Sequence, residues 1–199
     1  MIFYLQNNFA FQHINRTGGT SVKKMLRGIA GDPDNGSIYG KIVHRSLETR
    51  FNRLRLTHPE IDLENIPIYV NIRNPFDRII SIFSYRRGRG KYKQVYFKNF
   101  FYNIYMRDDR DVNGPQEVFC CINKIKPKNV ILVKFENINT QWPEIIQKHF
   151  GPKIDIFPKM NSSKHDEPMN YFDKKMIKKV LTKESWVIKN YYPELMETI

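Results

Sequence analysis

The sequence predicts an α/β fold in which a central parallel sheet is flanked by helices on both faces. Short, nearly continuous apolar runs, typical of buried parallel strands, alternate with longer segments whose apolar residues recur at helical spacing. A turn signal bounds each strand-like run. Because parallel strands need crossover connections, this alternation predicts three layers, with the sheet between two layers of helices.

The first predicted strand and helix meet at a short turn that contains two glycines. Residues 9–15 form an apolar run of strand-forming types, and residues 21–29 follow with about two turns of helical spacing. The turn-rich stretch GDPDNGS at 31–37 ends this helix.

A second strand and two further helices are predicted in the next part of the chain. Residues 45–57 carry apolar side chains at helical spacing, and residues 66–72 form an apolar run bounded by turn signals. Residues 75–87 form a well-marked helix, because Asn74 is a favourable N-cap and Pro75 suits the first helical position.

The second half of the chain supplies a third strand at 130–133, a helix at 140–150 and a last helix at 173–190. Cys120 and Cys121 are neighbours in an apolar helical stretch. This spacing indicates core packing and fits neither a disulfide framework nor a zinc site.

The composition supports one folded unit with a basic surface. The chain has 199 residues, 41% of them hydrophobic, so we expect a single domain spanning 1–199. The net charge of +13 is spread along the chain and suits a polyanion, a phosphorylated or sulfated small molecule, or nucleic acid. The sequence shows no signal peptide and no apolar run near the roughly 20 residues of a membrane span, so we expect a cytoplasmic protein.

The turn between the first strand and helix has the composition of an anion site. It has the sequence RTGGTS at 16–21, in which the glycines let backbone N–H groups approach a ligand at the positive end of a helix. The hydroxyls of Thr17, Thr20 and Ser21 add donors, and Arg16 adds a charged fork. Taken alone, the segment fits a tight turn with a capping hydroxyl equally well.

This loop differs from the GxxxxGK[ST] loop of nucleotide kinases and ATPases. In that motif a lysine follows the last glycine and a hydroxyl binds magnesium. Here the cation precedes the glycines, and no apolar strand ends in an acidic pair that would hold a metal. A P-loop kinase is therefore disfavoured but stays open as an alternative, and no metal is expected.

Arg73 and Ser81 form a second candidate anchor for an anion. Arg73 directly follows the predicted strand 66–72, and Ser81 lies on the polar stripe of the next helix. Both are expected near the carboxyl end of the strand, where ligands bind in open α/β sheets. Arg78 on the same helix is interpreted as part of a structural ion pair or as a surface charge.

Together these segments resemble a known family. FQHINRTGGTS at 11–21 closely resembles the "HIPKTGGTS" 5′-phosphosulfate loop, and IRNPFDRIISIFSY at 72–85 resembles the "VRNPxDRxxSxY" 3′-phosphate segment, of sulfotransferases that use 3′-phosphoadenosine 5′-phosphosulfate (PAPS). Shorter similarities at 41–48, 134–138 and 157–163 extend the likeness over most of the chain. The chain is most similar to the carbohydrate type, which includes heparan sulfate 2-O-sulfotransferases, and this implies their P-loop-like, three-layer sulfotransferase fold.

The resemblance implies roles for the site residues, with PAPS as co-substrate. Arg73 and Ser81 would hold the 3′-phosphate. The family's loop lysine is Arg16 here, so this side chain is expected to stabilise charge on the departing phosphate without donating a proton. The residues that would hold the 5′-phosphosulfate are Arg16, Thr17, Gly18, Gly19, Thr20 and Ser21.

Sulfuryl transfer to a hydroxyl also needs a base to accept the hydroxyl proton. The helix after the loop carries no carboxylate near its start, so His44, in the family-like segment 41–48, is the candidate general base. Glu48 lies one helical turn later and is expected to face the same way. The alternative is that His44 only caps or packs its helix.

The acceptor is expected to be a hydroxyl compound, with an acidic saccharide favoured by the positive charge. The basic residues available to bind it are Arg45, Arg50, Arg53, Arg55, Arg86, Arg87, Arg89, Lys91 and Lys93, which equally fit a solvated surface. A nucleic-acid-binding module is an alternative, because residues 86–110 interleave basic and aromatic side chains. The helical spacing of these aromatics favours core packing, so no nucleic-acid partner is expected.

Overall fold

The computed structural model of the chain describes residues 1–32, 45–90, 94–107, 113–151 and 167–197. Its strands are β1 (Ile2–Tyr4), β2 (Phe9–Gln12), β3 (Ile68–Ile72) and β4 (Val130–Lys134). Its helices are α1 (Gly19–Ala30), α2 (Leu47–Thr57), α3 (Pro75–Gly88), α4 (Phe97–Phe100), α5 (Glu117–Cys120), α6 (Ile138–Phe150), α7 (Lys174–Lys183) and α8 (Ser185–Tyr191). A π-helical turn, Phe101–Tyr105, directly follows α4.

The four described strands form one sheet in the order β1-β2-β3-β4. β2, β3 and β4 run parallel, with Tyr69 of β3 paired to Phe11 on one side and to Ile131 on the other. This confirms the predicted parallel sheet for the three predicted strands. β1 was not predicted and pairs antiparallel with β2. Its three residues are too few to show the alternating hydrophobic pattern of a strand in the sequence. The turn at Leu5–Asn7 brings β1 back alongside β2.

Side chains that point alternately to the two faces of the sheet divide the core into two layers. Ala10 and Val70 face one cluster, which includes residues of α2, α3, α7 and α8. Phe11 and Tyr69 face the other, which α1 and α6 cover. Successive side chains of a strand point to opposite faces of the sheet, so the predicted three-layer arrangement is confirmed.

Several boundaries differ from the predictions for local physical reasons. α1 begins at Gly19, two residues early, because Gly18 takes a left-handed conformation as its N-cap. The strand expected at 9–15 ends at Gln12, where the loop leaves the sheet. The helix expected at 173–190 is two helices, since Glu184 departs from helical geometry at φ −102° and ψ 18°. Asn74 caps α3 as predicted, accepting a hydrogen bond from the Phe76 N–H.

The break between α7 and α8 coincides with a buried ion pair. Arg78 Nη1 lies 3.1 Å from Glu184 Oε1, and neither side chain is exposed to solvent. The interpretation of Arg78 as part of a structural ion pair is therefore confirmed. The ion pair could not be predicted from any short sequence segment, because 106 positions separate the two residues.

We expect Arg78→Met to lower the free energy of unfolding by about 3–5 kcal/mol, because it leaves the Glu184 carboxylate buried without its counter-charge. Urea unfolding followed by circular dichroism measures this loss. Adding Glu184→Gln removes the remaining charge and should recover most of the stability. A double variant no more stable than Arg78→Met would contradict this explanation.

The aromatic segment after α3 mainly supplies core residues. Phe100, Phe101 and Tyr105 are buried, and Phe97 packs against Phe172 with ring centroids 5.1 Å apart. Tyr96 is 80% exposed. The buried rings are not accessible for stacking on nucleic-acid bases.

The cysteines are also core residues, since Cys120 and Cys121 are both buried and unbonded thiols. Among the described residues, no helix has both the length and the apolar character that a membrane crossing requires.

Candidate active site

The loop of residues 13–18 connects the end of β2 to the start of α1. Arg16 and Gly18 both have left-handed backbone conformations, with φ of 64° and 79°. Such a conformation is uncommon for an arginine, and here it turns the chain sharply before the helix. The loop passes directly into the first turn of α1, where the Ser21 N–H donates to the Gly18 carbonyl at 3.0 Å. The N–H groups of Gly19 and Thr20 precede it, at positions that have no acceptor within a helix.

Close packing around the loop requires both glycines. A Cβ on Gly18 would lie 2.6 Å from Ile138 Cδ1, at the start of α6. A Cβ on Gly19 would overlap the ring of His13. The ring of His13 also stacks on Phe11, with centroids 6.2 Å apart, and is partly exposed. The glycine pair therefore meets a steric requirement of the folded loop, independent of any ligand.

We expect Gly19→Ala to lower the free energy of unfolding by about 1–3 kcal/mol, because the added methyl overlaps the His13 ring. Thermal unfolding measures the loss, and adding His13→Ala should recover part of it. Gly28→Ala is the matched control in the same helix, because a Cβ there meets nothing within 4 Å. A Gly19→Ala chain as stable as Gly28→Ala would contradict the packing explanation.

Hydrogen bonds to buried polar groups hold the loop against the sheet. Thr17 is buried and donates its hydroxyl to the Ile14 carbonyl at 3.0 Å. The Asn71 side chain in β3 donates to the Thr17 carbonyl at 2.9 Å, and the Trp142 indole of α6 donates to Asn71 at 2.8 Å. The Thr17 hydroxyl is thus used within the loop. Of the other two loop hydroxyl residues, Thr20 is exposed and Ser21 is buried.

The structure brings the second anchor into direct contact with the loop. Arg16 Nε donates to Ser81 Oγ at 2.9 Å, and Arg73 Nη1 donates to the Arg16 carbonyl at 3.3 Å. Ser81 lies in the second turn of α3, and Arg73 directly follows β3. The two segments that sequence analysis singled out therefore meet where β2 and β3 end.

Two guanidinium groups concentrate positive charge at this meeting point. Arg16 lies over the Tyr85 ring at 4.5 Å, and Arg73 lies over the Phe135 ring at 4.4 Å. Burial, followed by the neighbouring charge of Arg73, lowers the pKa of Arg16. Like charges held close together repel each other, so a bound anion would stabilise the arrangement.

Arg73 is the more buried of the two cations. Burial lowers its pKa, and the Asp77 and Glu136 carboxylates partly oppose that shift. Within the described ranges, Arg73 Nε is buried without a hydrogen-bond acceptor. Since an unsatisfied buried donor is costly, this atom favours an acceptor such as a phosphate oxygen.

His44 lies outside the described residues, as do Lys91 and Lys93. The described chain resumes at Arg45, whose carbonyl accepts a hydrogen bond from Gln12 Nε2 at 2.9 Å. Gln12 is the last residue of β2, so the residue after His44 is anchored where the loop begins. Glu48 is exposed in the first turn of α2.

The basic residues expected to bind the acceptor have different surroundings. Arg50 is 4% exposed, Arg55 pairs with Glu64 at 3.4 Å, and Arg86 donates to Asn113 at 3.1 Å. The exposed members of this set are Arg53, Arg55, Arg87 and Arg89, and Arg45 is half-buried.

The residues that support the anchors were not predicted from the sequence. Asn71 was detectable as a polar residue inside an apolar strand run, and it holds the loop. Gln116 hydrogen-bonds the backbone of Arg73 but carries no local signal, because 43 positions separate the two residues. Across the described part of the chain, no three His, Cys, Asp or Glu side chains gather as metal ligands would.

Comparison with known protein families shows the family to which the chain belongs. Residues 2–184 match the sulfotransferase family. Comparisons with curated proteins and with solved structures found no match. The family match spans most of the chain, so it confirms the resemblance carried by the two motifs, and the mostly parallel sheet flanked by helices agrees with a sulfotransferase fold. The chain therefore belongs to the sulfotransferase family and is an enzyme that transfers a sulfuryl group from a sulfate donor.

Proposed function

We propose that the enzyme transfers the sulfuryl group of PAPS to a hydroxyl group of an acidic saccharide. The observation that carries this proposal is the contact of Arg16 with both Ser81 and Arg73 beside a glycine-containing loop. A nucleotide with phosphate groups at both ends matches two adjacent anion-binding segments. The buried Arg73 Nε, a donor with no acceptor among the described residues, fits the same ligand.

In this proposal each segment binds one end of the nucleotide. Thr17, Gly18, Gly19, Thr20 and Ser21 hold the 5′ end, with the backbone N–H groups of Gly19 and Thr20 and the exposed Thr20 hydroxyl as donors. Arg73 and Ser81 hold the 3′-phosphate. Arg16 offsets negative charge that develops on the 5′-phosphate, as an electrostatic catalyst.

PAPS supplies an activated sulfuryl group, whose transfer forms an S–O bond to the acceptor and breaks the S–O bond to the 5′-phosphate. His44 accepts the proton of the acceptor hydroxyl as that oxygen becomes bonded to sulfur. The anchoring of Arg45 at the end of β2 supports this role, because it fixes the neighbour of His44 close to the start of the loop.

The charge of the chain favours an acidic acceptor. A net charge of +13 exceeds what one nucleotide requires. Arg53, Arg87 and Arg89 are exposed, and arginine binds carboxylate and sulfate groups through paired hydrogen bonds. An acidic saccharide presents such groups together with the hydroxyl to be sulfated.

The test is transfer of radiolabelled sulfate from PAPS to a panel of acidic oligosaccharides, neutral oligosaccharides and small hydroxyl compounds. We expect label in acidic oligosaccharides and little in neutral ones of the same length. Adenosine 5′-phosphosulfate, which lacks the 3′-phosphate, should be a poor donor. Label confined to small hydroxyl compounds that are not sugars would contradict the proposed acceptor.

A further inference from the structure

Gln116 holds the backbone of Arg73 from both sides of the residue. Gln116 Oε1 accepts from the Arg73 N–H, and Gln116 Nε2 donates to the Arg73 carbonyl, each at 2.8 Å. The Gln116 side chain is completely buried. A side-chain amide carries both a donor and an acceptor, so it can bond the backbone as a neighbouring strand would. The backbone position of Arg73, directly after β3, is thereby fixed.

Gln116 is itself held by the buried carboxylate of Glu184. The Gln116 N–H donates to Glu184 Oε2 at 2.9 Å. Glu184 Oε1 accepts from the Tyr105 hydroxyl at 2.6 Å and from Arg78 at 3.1 Å. The carboxylate therefore joins the π-helical turn that ends at Tyr105, the residues before α5 and the helix α3.

Arg78 extends this network to the loop. Arg78 Nε donates to the Asn15 carbonyl at 3.2 Å, and Arg78 Nη1 also donates to the Gly114 carbonyl at 3.1 Å. Asn15 directly precedes Arg16 in the chain. One continuous set of hydrogen bonds, buried at its centre and partly buried at its two ends, thus runs from the backbone beside Arg16 to the backbone of Arg73.

We infer, on the basis of the proposed function, that Gln116 and the Arg78–Glu184 pair are positioning residues that set the spacing between the loop and Arg73. That spacing makes the site selective for a nucleotide phosphorylated at both ends. A bisphosphate needs both anchors at a fixed separation, whereas a 5′-monophosphate uses the loop alone. Buried ion pairs add little net stability compared with apolar side chains, so stabilisation alone does not account for this network.

The test compares the affinities of 3′-phosphoadenosine 5′-phosphate (PAP) and adenosine 5′-phosphate (AMP), measured by isothermal titration calorimetry. The wild-type chain should prefer PAP. In Gln116→Leu we expect PAP affinity to fall by about tenfold or more. The Arg73 guanidinium would no longer be placed to donate its charge-assisted hydrogen bond to the 3′-phosphate. AMP affinity should change by less than about twofold, because the loop stays intact.

Asn129→Leu is the matched control at the opposite end of β3. Asn129 Nδ2 donates to the carbonyls of Leu63 and Ile66 at 2.9 and 2.7 Å, so its loss also removes two bonds from a side-chain amide to the backbone. This variant should lower stability and keep the wild-type ratio of PAP to AMP affinity. The double variant Arg78→Met, Glu184→Gln should lower the ratio as Gln116→Leu does, and it decides the question if Gln116→Leu does not fold.

The outcomes separate this inference from the proposed function. A wild-type chain that prefers PAP, together with a folded Gln116→Leu chain that keeps the preference, overturns the inference and leaves the proposed function standing. Equal losses of PAP and AMP affinity also overturn it, since they indicate general damage to the fold. A wild-type chain with no preference for PAP overturns the proposed function and the inference with it.

Discussion

Replacing His44 with alanine is expected to lower the rate of sulfuryl transfer by about 10²–10⁴-fold, the usual contribution of a positioned general base. PAP affinity should stay unchanged, because the proposed nucleotide contacts come from the loop, Arg73 and Ser81. Initial rates with saturating PAPS measure the first effect, and calorimetry with PAP measures the second. The wild-type rate should depend on pH, because a base must be unprotonated to accept the hydroxyl proton, and the variant should lose that dependence.

His58→Ala is the control for this experiment. His58 lies at the end of α2 and its Nδ1 contacts the Glu60 carboxylate at 3.0 Å, away from the proposed contacts with the donor. It should transfer sulfate at the wild-type rate. Full turnover in His44→Ala would exclude this residue as the base.

Arg73→Ala is expected to lower PAP affinity by about 10–100-fold, the value of one or two hydrogen bonds to a charged group. AMP affinity should change much less, because the missing guanidinium is assigned to the 3′-phosphate. The Arg73 side chain also donates to the Arg16 carbonyl, so a small loss of AMP affinity through the loop is expected as well. Calorimetric titration with each nucleotide gives the ratio of its affinity for the variant to its affinity for the wild-type chain.

Arg27→Ala is the matched control for charge. Like Arg73→Ala, it removes one positive charge, but from an exposed residue of α1 that pairs with Asp32 at 3.3 Å. Its effect on PAP should be small and should fade with added salt, since it acts only at long range. Equal losses in Arg73→Ala and Arg27→Ala would mean that Arg73 contributes only general charge.

Much of the fold was predictable because local patterns and layer packing agree. The continuous apolar run of β3 and the Asn74-Pro75 start of α3 identified a buried strand followed by a helix, and both are present. β1 and the α7–α8 break were not predictable. β1 owes its place to pairing with β2, and the break occurs at Glu184, whose carboxylate bonds to Arg78 across the fold.

The candidate site was predictable to a similar extent. Topology brings the loop and Arg73 to the same edge of the sheet, because the carboxyl ends of β2 and β3 meet there, and the two are in contact. The supporting residue Gln116 was not predictable, since its partners are remote in sequence and its own segment has no pattern. The position of His44 stays a prediction, because that residue lies outside the described ranges.

The central claim is that one site binds both phosphorylated ends of an adenosine nucleotide. Thermal unfolding of the wild-type chain with PAP or AMP at equal concentration tests it most directly. A ligand at about 100 times its Kd adds about 2.7 kcal/mol of stability, which raises the Tm of a chain of this size by about 5–10 °C. We expect PAP to produce such a shift and AMP to produce a clearly smaller one. Equal shifts with the two nucleotides would contradict the claim.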